Sequence, residues 1–228
     1  MEALIRKVVA FTLNFFYPRN CIFCNKKGVN ICDNCFKTKL KPYEQVCYIC
    51  GGKVYKRGLF VHTDCQSQTK LDGIFSCYRY NKNAKLILRL IKYEGYTDLI
   101  NDVIRSMQSS FSNLPIGFDF LVPVPIHKNR FKKRGFNQAE LIAKNLTWNY
   151  KDILIRQKET KPQAELDRDQ RLGNVENAFT LATGANMIGK IVLLLDDVFT
   201  TGATLENCAT VLKHYGAVKV FAFTWARD

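Results

Sequence analysis

One run near the end of the chain constrains the fold more than any other: Ile191-Val192-Leu193-Leu194-Leu195, then Asp196-Asp197, then Val198-Phe199-Thr200-Thr201-Gly202-Ala203-Thr204. Five apolar residues without a polar break predict a strand buried on both faces, hence a central strand of a parallel sheet. The two acids are expected to stop that strand at the carboxyl edge of the sheet, where open α/β sheets take their ligands. Leu205, Cys208, Ala209 and Leu212 recur at helical spacing, so the Thr/Gly turn opens a helix. Free N–H groups and the helix dipole favour an anion there. Gly202 permits close backbone approach, and the hydroxyls of Thr200, Thr201 and Thr204 add donors. The turn suits one phosphate monoester. Asp196 and Asp197 would repel that phosphate, but they suit hydroxyl groups and a Mg2+ ion a few ångströms away. A ligand with a phosphate at one end and a vicinal diol further along fits both halves, as ribose 5-phosphate does.

This stretch closely resembles the signature of type I phosphoribosyltransferases, which bind phosphoribosyl pyrophosphate (PRPP). The resemblance implies that Asp196 and Asp197 hold the ribose 2′ and 3′ hydroxyls as catalytic residues, with Mg2+ accompanying PRPP. It implies also that Val198 and Phe199 line the site and that Thr200, Thr201, Gly202, Ala203 and Thr204 cradle the 5-phosphate.

With 228 residues, the chain is long enough for one large or two small domains. No apolar run reaches the roughly 20 residues that span a bilayer. Lys and Arg number 34 against 20 Asp and Glu, a net charge of +14. Such an excess favours polyanions: nucleic acid, anionic membrane or phosphorylated ligands.

Eight of the nine cysteines precede residue 80, mostly as C-x-x-C pairs, which points to reduced, metal-binding thiols in the cytoplasm. Cys21-x-x-Cys24 and Cys32-x-x-Cys35 lie seven residues apart and can close one tetrahedral structural zinc. Cys47, Cys50, His62 and Cys65 form a looser second set for another zinc. Cys77 and Cys208 fall in apolar patterns and are expected to be buried as small side chains. Ahead of the module, residues 1–20 carry a helical stripe of Leu4, Val8, Phe11 and Phe15 beside Arg6, Lys7 and Arg19. That helix either packs on its own protein or lies on an anionic membrane surface. The expected organisation is therefore an N-terminal helix over 1–20, a zinc-ribbon-like module over 21–70 and an α/β domain over 71–228.

In the last of these, strands are expected at Phe75–Tyr80, Phe118–Val124, Ile153–Ile155 and Val218–Trp225, besides the acid-tipped one. Helices are expected at Ala84–Tyr93, around Leu99–Met107 and at Asn137–Tyr150. In these helices Leu86, Leu90 and Tyr93, and then Leu141, Ile142 and Leu146, are expected inward. The alternation argues for a mostly parallel sheet covered on both faces. Val122-Pro123-Val124-Pro125 ends a strand at the same sheet edge as the acids. A basic loop follows with Lys128, Arg130, Lys132, Lys133 and Arg134, interleaved with Phe131 and Phe136. Its amides and cations, with Val124 and Pro125, make a candidate pyrophosphate cradle involving Arg130 and Arg134. Its Lys128, Phe131, Lys132 and Lys133 also suit single-stranded DNA, cations on phosphates and rings on bases. Arg156 to Arg171 is long and charged, either a lid or a surface loop.

The whole chain resembles the ComF family. The resemblance rests on the Cys pairs, Lys92-Tyr93-x-Gly95, Val122-Pro123-Val124-Pro125, Arg130, Arg134-Gly135-Phe136-Asn137-Gln138, Gln163, Arg171, Asn174 and the PRPP signature. It implies a phosphoribosyltransferase-like sheet behind a zinc module. It implies also a role in DNA uptake during natural transformation, at the cytoplasmic face of the inner membrane, with PRPP, single-stranded DNA and other competence proteins as partners. The competing readings are an active transferase that moves phosphoribosyl from PRPP to an acceptor, and a PRPP sensor whose zinc module binds a protein.

Overall fold

A computed structural model describes residues 19–54, 61–147, 149–158 and 178–228. Most of the N-terminal helix and nearly all of the charged lid segment therefore lie outside the described residues. Helix α1 (Asp33–Lys39) and a 3-10 turn (Thr63–Gln68) belong to the cysteine-rich region. Then follow β1 (Gly73–Arg79), α2 (Lys82–Tyr93), α3 (Leu99–Ser112), β2 (Phe120–Pro123), α4 (Lys128–Arg134) and α5 (Gln138–Leu146). The chain closes with β3 (Leu154–Arg156), β4 (Phe179–Leu181), β5 (Ile191–Phe199), α6 (Ala203–His214) and β6 (Lys219–Arg227).

Four strands form one parallel sheet in the order β1-β6-β5-β2. The apolar run of β5 is central, as expected, and its two-residue alternation feeds two separate cores. Leu193 and Leu195 face one apolar cluster with Phe223, Trp225, Ile87, Met107 and Ile142, from β6, α2, α3 and α5. Val192 and Leu194 face the other, with Val220, Leu205, Cys208, Leu212 and Phe179. The first cysteine segment does not stand apart from this sheet. Cys21, Ile31, Cys32, Cys35 and Leu40 join the first cluster. The segment after α1 also closes the β1 edge: Tyr43 N–H donates to Cys77 O at 3.0 Å, and Arg79 N–H to Lys41 O at 2.8 Å. An edge covered this way offers no unpaired ladder to another chain. Among the described residues no helix is long and apolar enough to cross a membrane.

Several sequence expectations are corrected. The acids do not stop β5. It continues to Phe199 because β6 keeps pairing with it, Asp196 opposite Thr224 and Phe199 opposite Arg227. What stops is β2, whose last residue, Pro123, lies opposite Leu195. Asp196 and Asp197 therefore sit where β5 has lost its neighbour on one side, which still leaves them at a gap in the carboxyl edge. The basic stretch is a helix and not a loop: His127 caps α4 by accepting from Asn129 N–H, and Gly135, at φ +83°, ends it. On α2 the inward residues are Ala84, Ile87, Leu88, Leu90 and Ile91, while Leu86 is half-buried and Tyr93 is 70% exposed. On α5 Ile142 and Leu146 are buried and Leu141 only half-buried. That helix ends at Leu146, because Thr147 is extended and Tyr150 bridges to Leu121 of β2. The short β3 pairs antiparallel with β4, outside the main sheet. Cys77 and Cys208 are buried, as expected.

Candidate functional site

The turn from β5 into α6 is built as its sequence predicts. Gly202 has φ +81°, and a Cβ there would meet the Phe199 ring at 2.8 Å, so two independent constraints exclude a side chain. The turn lines a small pocket with Asp196, Val198, Phe199, Thr200, Gly202, Thr204 and Leu205. Among the described residues the buried Thr201 hydroxyl finds no hydrogen-bond partner. A buried unsatisfied hydroxyl is costly, and a functional site is the place where it is tolerated. Ala203 is 3% exposed and belongs to the α6 core face, so it offers backbone only.

The two acids are not equivalent. Asp197 is 4% exposed and already engaged. Its carboxylate accepts from Lys92 Nζ at 2.6 Å and from Gln138 Nε2 at 2.9 Å. Burial pulls the Lys92 ammonium down, but the contact with Asp197 outweighs this and holds it above the usual lysine range. Asp196 lines the pocket and accepts the Asp197 N–H at 2.8 Å. Burial and the neighbouring Asp197 push the Asp196 carboxyl up to about 7. Near neutral pH, a cation arriving there would displace a proton. The half-buried Asp196 in the pocket lining offers the kind of carboxylate oxygen that Mg2+ takes.

Cations ring these acids. Gln138 in turn accepts from Arg134, at 2.5 Å, and the Arg134 guanidinium lies over the Tyr93 ring, 5.6 Å from its centre. Arg130 is close enough to depress both Arg134 and Arg156 electrostatically, behind the larger effect of burial, while Asp197 and Asp196 respectively oppose it. The spacing of Arg130 and Arg134 on α4 is one helical turn, so both lie half-buried on its inner side. Lys128, Phe131, Lys132 and Lys133 lie exposed on its outer side, Phe131 at 46%. The expected cradle of loop amides does not form, because α4 uses its amides internally, as in Phe131 N–H to His127 O at 3.0 Å. Val124 and Pro125 border the site without donating to it: Val124 N–H goes to Leu195 O at 2.8 Å, and proline has no N–H. Lys92, Gln138 and Arg156 were not among the expected site residues. Two of them stand in sequence elements noted for family resemblance, but their partner Asp197 is distant in sequence.

Each expected metal set comes together. The ligand atoms of Cys21, Cys24, Cys32 and Cys35 lie within 4.8 Å of one another, as do those of Cys47, Cys50, His62 and Cys65. All nine cysteines are free thiols. Cys24 and Cys32 sulfurs are 3.7 Å apart, too far for a disulfide. That spacing matches the roughly 3.8 Å edge of a tetrahedron with zinc–sulfur bonds of about 2.3 Å. Burial raises the Cys21 thiol, but backbone donors led by Cys32 N–H overcome it and bring it down to about 6. In the second set His62 Nδ1 lies 3.1 Å from Cys50 Sγ, while Nε2 is 3.0 Å from Lys53 O. A backbone carbonyl on Nε2 fixes the tautomer that leaves Nδ1 as ligand. Gly52 leaves room for that ring, since a Cβ would meet His62 Cε1 at 2.9 Å. Both clusters thus fit a structural zinc.

The competence protein ComFC of Bacillus subtilis is 33% identical over 211 residues, covering 83% of this chain and 87% of its own length. The chain belongs to the ComFC competence-protein family. Competence protein F of Haemophilus influenzae is 28% identical and spans 94% of this chain and 99% of its own. The DNA utilization protein YhgH of Escherichia coli is 31% identical over 54% of each chain. No family model matches. Among solved structures, a purine phosphoribosyltransferase from Pyrococcus horikoshii covers 57% of this chain and 80% of its own at 16% identity, TM-score 0.31. Adenine phosphoribosyltransferase from Leishmania tarentolae covers 57% and 71% at 13% identity, TM-score 0.35. A likeness at those scores carries no argument. Membership of the ComFC family rests on sequence, and the sheet and its site rest on the residues described above.

Proposed function

We propose that the chain binds PRPP at the β5–α6 turn and serves DNA uptake in competence, holding incoming single-stranded DNA on the outer face of α4. The observation that carries the PRPP reading is the buried Thr201 hydroxyl, without a partner among the described residues, in the turn just ahead of α6 whose neighbours Thr200 and Gly202 line the pocket with Asp196. A 5-phosphate at that turn gives the hydroxyl an acceptor and meets the positive end of the α6 dipole. Asp196 then faces the ribose hydroxyls and Mg2+, and the surplus of cations from Lys92, Arg130, Arg134 and Arg156 faces a pyrophosphate. Relatives named competence proteins and DNA utilization proteins support the DNA half. So do the exposed Lys128, Phe131, Lys132 and Lys133 and the exposed ring of Tyr93 beside Arg134.

Thr201→Val tests the PRPP reading. The methyl replaces an unsatisfied buried hydroxyl, so the melting temperature is expected to hold or rise. Affinity for PRPP with Mg2+ is expected to fall about tenfold, the loss of roughly 1.4 kcal/mol, by isothermal titration. Equal affinity in the variant, or no binding by the wild type, would remove PRPP from this turn. A second reading, phosphoribosyl transfer, draws on the same ring of cations. In that reaction the acceptor bonds to ribose C1, the C1–oxygen bond breaks and pyrophosphate leaves with the bonding pair. Pyrophosphate release on incubation with PRPP, Mg2+ and a panel of nucleobases and amines would select it.

A further inference from the structure

The second metal cluster is joined to the phosphate turn by one side chain. Tyr48 stands between Cys47 and Cys50, and its half-buried ring packs against two apolar clusters at once. One contains Cys47, Val61 and Cys65; the other contains Phe199, Ala203 and Leu205 of the turn. The ring meets Phe199 edge-on, 5.6 Å between centres. Phe199 is the ring that Gly202 approaches too closely for any Cβ. The Tyr48 hydroxyl donates to Glu206, in the first turn of α6. Thr69 Oγ1 donates to the same carboxylate oxygen, and Lys70 N–H to the other at 2.9 Å. Arg227 lies 5.1 Å from the Phe199 ring centre and donates to Val46 O at 3.4 Å.

Glu206 is the reason this matters for an anion. It puts a negative charge in the helix turn that a phosphate must approach, where unscreened repulsion would oppose binding. Three donors, all from the segment between Tyr48 and Lys70, hold that carboxylate toward the cysteine-rich region and neutralise part of its charge. One of them, Tyr48, lies between two ligands of the second metal set, and the other two, Thr69 and Lys70, follow its last ligand, Cys65, closely.

We propose that Tyr48 is a positioning residue for the phosphate turn, so that the metal in the Cys47–Cys50–His62–Cys65 cluster sets the order of the Thr200–Glu206 segment and its affinity for a phosphate ester. This rests on the PRPP reading for its ligand, but not for the ordering of the turn. Among the described residues the first cluster has no such link. Cys21, Cys32 and Cys35 pack on the opposite face of the sheet, with α2 and α3.

The test compares wild type with Tyr48→Phe, Cys50→Ser and, as a control, Cys24→Ser. It reads zinc content, hydrogen exchange of the amides from Val198 to Glu206 in the ligand-free protein, and PRPP affinity with Mg2+. Tyr48→Phe keeps the ring and the zinc but loses the hydroxyl. It is expected to speed exchange in the turn and weaken PRPP about tenfold, and Cys50→Ser to do both while losing one zinc. Cys24→Ser is expected to lose the other zinc and lower global stability, yet leave exchange in the turn unchanged under native conditions, where those amides exchange by local opening and not by global unfolding. Unchanged exchange in the turn of both Tyr48→Phe and Cys50→Ser would overturn the inference, whatever the ligand. If exchange rises but wild type does not bind PRPP, the ordering role stands and the PRPP reading falls.

Discussion

Asp196 gives the folded chain a pH dependence of its own. Its carboxyl titrates near 7 when folded, because burial and Asp197 favour the neutral form, whereas an unfolded aspartate titrates at about 3.9. Between those values the folded chain holds a proton that the unfolded chain has released. Stability from this group is therefore lost as pH rises from about 4 to about 7. Asp196→Asn removes the titration. Urea midpoints of wild type and variant, compared between about pH 5.5 and 8, should diverge in the variant's favour as pH rises. Parallel midpoints would show that Asp196 titrates normally. Asp197 matters through its partner. It holds the Lys92 ammonium, and removing it leaves a largely buried charge without its partner, a change that typically costs about 3–5 kcal/mol. The pair illustrates what sequence shows and hides at this scale. Two acids after an apolar run are legible as a ligand edge. That one of them is occupied by a lysine from α2 is not legible, because a charged residue in a helix's last turn looks like any solvated end.

Elements were legible in proportion to their apolar pattern. β5 and α6 carry unbroken or periodic apolar residues, and both lie where those residues placed them. Helix α4 has no buried residue at all. Lys-Asn-Arg-Phe-Lys-Lys-Arg has one ring and no stripe, so only its caps, His127 and Gly135, mark it as a helix, and the sequence alone favoured a loop. β4 has three residues and its partner β3 lies across a long charged stretch, which hid the antiparallel pair. The helical form of α4 sharpens the DNA proposal, because it separates inward Arg130 and Arg134 from outward Lys132 and Lys133. Lys132→Ala with Lys133→Ala should weaken single-stranded DNA of any sequence and reduce the salt slope by roughly 0.7 per lost phosphate contact. PRPP affinity should stay at the wild-type value. A filter-binding series over salt checks the first, and a variant with full affinity and an unchanged slope would move the DNA surface off α4.

At the scale of the whole molecule, the cysteine-rich region and the sheet share one interior. Cys21, Cys32 and Cys35 lie in the same cluster as Leu193, Phe223 and Trp225. Coordination energy at the first cluster is therefore folding energy for the sheet as well. Cys21→Ser is expected to lower the melting temperature of the entire chain in a single transition. Calorimetry showing two transitions, with the upper one unmoved, would mean that the two parts melt independently.

The strand order has a consequence in time as well as in space. β1 and β5 both pair with β6, the last strand in the sequence. During synthesis, β1 waits for a partner that has not yet been made, and β5 waits for half of its ladder. Such long-range parallel pairing forms slowly and leaves apolar strands open to wrong partners. The Cys21–Cys35 knot, by contrast, is complete as soon as its own short segment emerges. Metal capture is thus expected to be the first committed step of folding on the ribosome, and release of β6 the step that ends the nascent chain's exposure to aggregation.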